Sequence, residues 1–238
     1  MSTPPRPPRL SDEMIPVQDG DTERAEVFFS RIESNLSGEV FSFGIPKNQS
    51  VPGMIFSVAG GTSRSKTSPS SLTWEMIRVD AGWVGINTLH PNHLVTEGIE
   101  SGVIRELHGC ESIRREVCTR QGTRLDLCLQ GSNGSCFVEV KNVTLAIDGA
   151  AAFPDAVSER GLKHLKELIW LRRRGHRAAV VFVVQRSDCN FFRPADEIDQ
   201  EYGRWLRRAV EAGVEALPYR AHVTPKEILL TERLPIIL

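Results

Sequence analysis

Residues 136–171 read CFVEVKNVTLAIDGAAAFPDAVSERGLKHLKELIWL. The first part has the apolar pattern of a strand that carries one acid and one lysine, and the last part has the pattern of a charged amphipathic helix. Because side chains alternate along a strand, Glu139 and Lys141 point to the same side of it. A buried charge is costly unless it is paired or bound to a metal. The pattern therefore predicts either a plain Glu–Lys contact on an exposed strand or part of a functional site.

The preceding strand pattern adds a second acid. Alternation places Arg124 and Asp126 on one face, and in the right register Asp126 converges with Glu139 and Lys141. Two adjacent carboxylates raise each other's pKa unless a cation lies between them. Mg²⁺ or Mn²⁺ would use such carboxylates together with phosphate oxygens and water, and a lysine nearby helps to activate the attacking water. The spacing predicts metal-assisted phosphodiester hydrolysis, although it also occurs by chance.

Composition limits the classes of protein that fit. The 238 residues are 40% hydrophobic and 25% charged, which is typical of a soluble globular protein with one large or two small domains. The net charge of -1 means that a nucleic-acid or membrane partner would need a local basic patch. No segment has the roughly 20 apolar residues of a membrane helix or the apolar core of a signal peptide. The five cysteines are odd in number and predict free thiols, so we expect a cytoplasmic protein without membrane or secreted partners.

The first third of the chain predicts a tail and a small β domain. Residues 1–18 are rich in proline and polar residues, which indicates a disordered tail. Residues 19–87 contain short strand patterns separated by turns, which favours a small barrel or sandwich. Arg64 and Lys66 lie in its longest loop, which is either a solvated loop or a phosphate-contacting one. The predicted strands are 27–29, 39–43, 53–58, 72–79 and 83–86.

Residues 88–238 predict an α/β domain with a mixed sheet. The order is helix, three strands, helix, strand, helix and strand. Gly175 and Gly213 are predicted to end the second and third helices. Pro218 lacks an N–H donor and predicts that the last strand lies at a sheet edge. The predicted helices are 96–107, 155–174 and 196–212, and the predicted strands are 112–118, 123–130, 136–147, 178–185 and 214–223.

The residues around the two acids resemble the sugar fermentation stimulation protein A family. The similarity rests on RLD at 124–126, EVKNVTL at 139–145 and FPDAVSERGLKHL at 153–165. It extends to residues 73–75, 87–94, 180–184 and 192–195, and covers most of 51–238.

The resemblance implies two domains. The first, over 19–87, would be similar to an oligonucleotide-binding (OB) β-barrel, and the second, over 88–238, to the PD-(D/E)XK nuclease core. The superfamily motif implies Asp126 and Glu139 as metal ligands and Lys141 as the catalytic lysine. Glu106 is a candidate additional acid, or else a solvated carboxylate at a helix end.

DNA is the partner that the resemblance implies, since family members are described as DNA-binding proteins once linked to regulation of sugar fermentation genes. Arg160, Lys163 and His164 share a helix face, where they would contact phosphate, support the metal or form a solvated stripe. Residues 172–174, three arginines, are interpreted as a solvated helix end, with phosphate contact as the alternative. The candidate DNA-binding residues are Arg64, Lys66, Arg124, Arg160, Lys163 and His164.

The N-terminal third departs from the family pattern. Relatives have a basic segment resembling RYxRF and a loop resembling HCPNTGxM, whereas residues 27–31 and 43–50 here read VFFSR and FGIPKNQS. We therefore expect the first domain to bind nucleic acid differently or weakly. Three functions remain open: a metal-dependent DNA nuclease, a non-catalytic DNA-binding regulatory protein, and a protein-interaction scaffold that retains the fold.

Overall fold

The structure is a computed structural model that describes residues 22–31, 39–46, 72–79, 82–119, 122–132 and 134–238. The strand predicted at 53–58, the predicted tail, Arg64 and Lys66 lie outside the described residues. Within the described part, no helix combines the length and apolar character needed to cross a membrane.

The N-terminal strands form a four-stranded antiparallel sheet in the order β2-β1-β3-β4. Four strands predicted for this region are present: the one predicted at 72–79 coincides with β3, and the other three have longer or shifted ends. The described strands form an open sheet, so closure into an OB-like barrel stays a prediction. The strands are β1 (Thr22–Arg31), β2 (Glu39–Pro46), β3 (Leu72–Val79) and β4 (Gly82–Gly85).

The remaining elements are three α-helices, a short 3-10 helix and nine strands among the described residues. In chain order they are α1 (His90–Glu100), a short 3-10 helix (Arg105–Leu107), β5 (Ser112–Cys118), β6 (Arg124–Gly131), β7 (Gly134–Val143), β8 (Leu145–Ile147), β9 (Ala150–Phe153), α2 (Glu159–Arg172), β10 (Arg177–Val184), β11 (Phe191–Pro194), α3 (Gln200–Glu211), β12 (Glu215–Val223) and β13 (Ile228–Arg233).

A mixed six-stranded sheet lies at the centre, in the order β13-β12-β10-β7-β6-β5. Strand β10 pairs in parallel with β7 and β12, and the outer pairs are antiparallel. This confirms the predicted mixed α+β architecture. Strands β8, β9 and β11 form a separate three-stranded sheet in the order β11-β9-β8.

Strand β10 explains why helices cover both faces of the central sheet. It reads RAAVVFVV and is buried from its second residue onward. Val181 and Val183 pack in the core cluster that includes α1, and Val180 and Phe182 pack in the cluster that includes α2 and α3. A strand that is apolar on both faces requires a layer on each side.

The N-termini of α2 and α3 are capped, which fixes where these helices begin. The Ser158 side chain accepts a hydrogen bond from the Gly161 N–H at 3.0 Å, and the Asp199 side chain accepts one from the Tyr202 N–H at 2.9 Å. Such caps satisfy backbone donors that the first turn leaves unpaired. Helix α2 therefore begins at Glu159, not at 155 as predicted.

Two predicted boundaries differ in the structure. The helix predicted over 96–107 begins at His90, where Pro91 suits the first turn, and ends at Glu100. Gly102 has φ of 78°, a conformation that interrupts a helix. The strand predicted over 136–147 divides into β7, which pairs with β10 in the central sheet, and β8, which pairs with β9 in the three-stranded sheet. Between them, the Thr144 carbonyl accepts a hydrogen bond from Arg186 Nη1 at 2.6 Å.

The edge position predicted for the last of these strands was wrong. Strand β12 lies between β10 and β13. Its pairing with β13 starts at Tyr219, one residue beyond Pro218. The carbonyl of Pro218 still accepts a hydrogen bond from the Leu234 N–H at 2.8 Å. The missing N–H of proline is therefore tolerated inside the sheet, where a neighbouring ladder ends.

Candidate active site

The site forms where β6 and β7 separate. Their antiparallel pairing runs as far as Leu127 and Val138, and the next step along each strand brings Asp126 beside Glu139. At that step the Asp126 side chain takes the place of the partner backbone, because Oδ2 accepts a hydrogen bond from the Val140 N–H at 2.8 Å. The acid lies in the fork between the two strands.

Glu139 is held through one of its two oxygens. Oε1 accepts a hydrogen bond from Lys141 Nζ at 2.6 Å and one from His164 Nδ1. Since Nδ1 donates its hydrogen to Glu139, the 3.5 Å approach between Lys141 Nζ and His164 Nδ1 is a contact and not a second hydrogen bond. Burial raises the pKa of Glu139, but the His164 hydrogen bond and the Lys141 charge outweigh it and hold the pKa below its usual value.

The second oxygen of Glu139 is buried and has no hydrogen-bond partner among the residues that the structure describes. The residue as a whole is only 3% exposed. The Tyr202 hydroxyl is likewise buried without a partner. Burial raises the pKa of Tyr202 well above its usual value, and the charge of Glu139 adds to the effect. A buried carboxylate oxygen without a donor calls for an explanation, and a bound ion is one.

Asp126 is the second acid of the site. Its Oδ1 accepts a hydrogen bond from Asn92 Nδ2 at 3.1 Å. Burial and the neighbouring Glu139 charge raise its pKa, and together they outweigh the Val140 N–H and Asn92. Two acids whose proximity disfavours ionisation are the arrangement that a cation between them stabilises.

The donor set fits a hard divalent cation. The two carboxylates offer oxygen ligands, which suit Mg²⁺ or Mn²⁺, and such ions complete their coordination with water and phosphate oxygens. Among the described residues, no group of three or more His, Cys, Asp or Glu side chains surrounds one point.

The structure places the predicted DNA-binding residues at different depths. Arg124 is exposed and pairs with Glu116 at 3.1 Å. Arg160 and Lys163 are exposed on α2, and Lys163 Nζ donates to the carbonyl of Gly122, just before β6, at 3.3 Å. His164 is buried beneath the site against Glu139. Whether any of them contacts DNA stays a prediction.

Glu106, the candidate additional acid, lies outside the site. Its Oε2 accepts a hydrogen bond from the Tyr219 hydroxyl at 2.6 Å, and its Oε1 accepts one from Arg233 Nη1 at 2.7 Å. Strand β12 carries Tyr219 and is separated from β7 by β10. Glu106 therefore connects the 3-10 helix to strands β12 and β13.

Sequence reasoning missed Asn92. Its side chain contacts Asp126 from the first turn of α1, on the helix face shared with the buried Val95, Thr96 and Ile99. A polar residue at i relative to buried residues at i+3, i+4 and i+7 marks a polar group turned toward the interior. That pattern was available in the sequence.

Comparison with known proteins shows which proteins this chain is similar to. A family model described as "Sugar fermentation stimulation protein RE domain" matches residues 89–227. A sugar fermentation stimulation protein homolog from Geobacter sulfurreducens is 59% identical over 165 residues, 69% of this chain and 71% of the relative. One from Geobacter metallireducens is 51% identical over 196 residues, 82% of this chain and 84% of the relative. The structure of Pyrococcus furiosus SfsA in complex with Ca²⁺ matches with a TM-score of 0.69 at 25% identity, over 94% of this chain and 100% of that one.

Proposed function

Because the chain belongs to the sugar fermentation stimulation protein family, we propose that it is a DNA-binding protein with a divalent-metal site for phosphodiester hydrolysis. Asp126 and Glu139 would hold the ion. The proposal depends on one observation above all: Glu139 has one oxygen held by Lys141 and His164 and the other buried without a partner. The Ca²⁺ complex of Pyrococcus furiosus SfsA supports a cation of this class.

The proposal includes the finer fold assignment. We assign the central sheet with α1, α2 and α3 to a PD-(D/E)XK nuclease core, and the N-terminal sheet to part of an OB-like barrel. The order of the central-sheet elements around Asp126 and Glu139 supports the first assignment: a helix, three strands (β5, β6 and β7), a helix and a parallel strand.

Each side chain at the site has a distinct task in this proposal. A bound divalent cation supplies polarisation of the phosphate and a lowered pKa for the attacking water. Lys141 places an ammonium beside the cleaved bond, where negative charge develops. His164 holds Glu139 Oε1, which leaves Oε2 for the ion. Asn92, with the Val140 N–H, fixes the carboxylate of Asp126.

Nearby cations would hold the substrate. Arg124, Arg160 and Lys163 are exposed, and Lys163 reaches the carbonyl of Gly122 close to the start of β6. Contacts from such side chains to phosphate position a nucleic acid without reading its sequence. They would therefore orient the backbone over the fork between β6 and β7.

The test is cleavage of plasmid and single-stranded DNA with Mg²⁺ or Mn²⁺. Glu139→Gln should cut at least ~100-fold more slowly than the wild type, because it removes the charge that holds the ion. Glu97→Gln, which changes an exposed acid on α1, is the matched control and should cut normally. Equal cleavage by the wild type and Glu139→Gln would contradict the assignment of the site.

DNA binding is measured separately by mobility shifts across a salt series. If the protein binds DNA through phosphate contacts, its affinity must fall as the salt concentration rises. Salt-dependent shifts together with no cleavage in either metal would favour the non-catalytic alternative. No shift at low salt would remove DNA as the partner.

A further inference from the structure

A cationic surface extends along α2 away from the site. From residue 160 to 174, every fully exposed position carries lysine or arginine, and the acid in that range, Glu167, is 1% exposed. A half-buried tryptophan lies among these cations. The spacing i, i+3, i+7, i+10 and i+11 places them on one side of the helix and its last turn. We call this the α2 outer face: Lys163, Lys166, Trp170, Arg173 and Arg174.

The charges of the α2 outer face are not neutralised by acids. Among the described residues, none of its four cations forms a salt bridge. Instead, Lys166 Nζ lies 4.6 Å from the Trp205 ring centroid, and the Arg174 guanidinium lies 4.1 Å from that of Trp170. Arg208 of α3 also lies over Trp205, at 5.1 Å.

Helix α3 shows the contrast. Two of its arginines are paired with acids, Arg204 with Glu201 and Arg207 with Asp196. In a chain with a net charge of -1, a run on the neighbouring helix without an exposed acid is a local basic patch. The patch combines fixed positive charge with planar groups, indoles and a guanidinium stacked on one of them.

The patch is continuous with the candidate active site. Its first residue, Lys163, donates a hydrogen bond from Nζ to the carbonyl of Gly122, just before β6, at 3.3 Å. The next residue, His164, contacts Glu139 on the buried side of the helix. The 11 steps from Lys163 to Arg174, along α2 and the turn that follows it, span about 16 Å at about 1.5 Å per step. A ligand that lies on this face can therefore place one end at the fork between β6 and β7.

We propose that the α2 outer face binds single-stranded nucleic acid leading away from the site. This rests on the proposed function and names the strand form that the site receives. The charges match the phosphates, and unpaired bases stack on indole or guanidinium planes, as in proteins that track single strands. A duplex keeps its base faces inside its own stack, so it cannot use the planar groups.

The test is fluorescence anisotropy with a labelled 12-nucleotide oligothymidylate in EDTA. Arg173→Glu should bind at least ~5-fold more weakly than the wild type. The slope of the logarithm of the binding constant against the logarithm of salt concentration should be smaller in magnitude by about 0.7, because one phosphate contact is removed. Lys166→Glu should behave in the same way. Arg105→Glu, an exposed arginine in the 3-10 helix with the same change of charge, should bind like the wild type. A 12-base-pair duplex should bind more weakly than the single strand.

Equal affinities of Arg173→Glu and Arg105→Glu would overturn the proposal, as would a preference of the α2 outer face for the duplex. Because EDTA removes divalent ions, the assay is independent of cleavage. If the wild type binds the oligonucleotide through this face but cuts nothing with Mg²⁺ or Mn²⁺, the surface is right and the hydrolytic function is wrong. If it cuts while Arg173→Glu binds normally, the reverse holds.

Discussion

Glu139 and Glu106 are two carboxylates of one domain with opposite surroundings. Both have pKa values held below their usual range. Glu106 uses both oxygens, one for Tyr219 and one for Arg233, whereas Glu139 leaves Oε2 buried without a partner. Ionisation alone therefore does not mark a functional acid. The useful distinction is whether the fold supplies a hydrogen-bond donor to each buried oxygen of the carboxylate.

A second difference is the neighbouring charge. Glu106 faces a cation and a phenol, but Glu139 shares its fork with Asp126, whose pKa is raised by burial and by Glu139 itself. In a purely structural ion pair, such repulsion between carboxylates would only destabilise the folded state. A metal site tolerates it, because the ion that binds there reverses the sign of the interaction.

The largest difference between Glu139 and Glu106 should appear in the free energy of unfolding when the cationic partner of each acid is replaced. Lys141 and Glu139 side chains are 14% and 4% exposed, so Lys141→Met leaves a buried charge with His164 alone. We expect a loss of about 3 kcal/mol in the free energy of unfolding in EDTA. Arg233 and Glu106 are 47% and 25% exposed, and Arg233→Met should cost at most about 1 kcal/mol. Urea denaturation measures both.

The effect of divalent ions on the stability of these two variants is a further test. If a cation binds the fork, Mg²⁺ or Mn²⁺ should recover part of the stability that Lys141→Met loses, because ligand binding to the folded state stabilises it. Arg233→Met should show only the metal response of the wild type. Equal losses for the two variants would mean that Glu139 is not the more dependent acid.

The two tyrosines of the sequence form a natural matched pair. Tyr219→Phe removes the hydrogen bond to Glu106 and should cost about 1.5 kcal/mol, which lowers the Tm by roughly 3–6 °C. Tyr202→Phe removes a buried hydroxyl without a partner and should leave the Tm unchanged or slightly higher. Thermal unfolding in EDTA measures both. A clear loss in Tyr202→Phe would show that its hydroxyl is hydrogen-bonded in solution.

The sequence predicts strands better than the contacts between them. Alternation correctly places Glu139 and Lys141 on one side of β7, and the predicted strand 112–118 coincides with β5. Both follow from local patterns. The division of β7 from β8 does not, because it follows from pairing with different partners, β10 and β9, which lie in separate sheets.

The candidate site shows the same limit. Asp126 and Glu139 stand out as acids in apolar strands, but the register that brings them together is set by strand pairing over the whole hairpin. The burial of His164 depends on how α2 lies against the sheet. The unpartnered oxygen of Glu139 is an outcome of packing and has no signature in the sequence.

Relief of the repulsion in the fork should stabilise the protein without metal. Asp126→Asn removes the half-buried one of two adjacent charges, so we expect its free energy of unfolding in EDTA to rise by about 1 kcal/mol, or roughly 2–4 °C in Tm. The same variant should lose the stabilisation that Mg²⁺ gives the wild type. Glu106→Gln should instead be less stable and keep the metal response. A lower stability of Asp126→Asn in EDTA would contradict the repulsion.

Acid titration should make both effects disappear, for opposite reasons. The pKa of Glu106 is lower in the folded state, since the Tyr219 and Arg233 contacts outweigh its burial. Its contribution to stability is therefore present above the pKa of the unfolded state, about 4.3, and is lost as pH falls through the pKa of the folded state. The pKa of Asp126 is higher in the folded state, so stability is lost as pH rises through that folded pKa. The deficit of Glu106→Gln and the gain of Asp126→Asn should therefore both shrink between pH 6 and 3. Denaturation curves in EDTA across that range measure them, and a gain of Asp126→Asn that persists at pH 3 would assign its effect to packing.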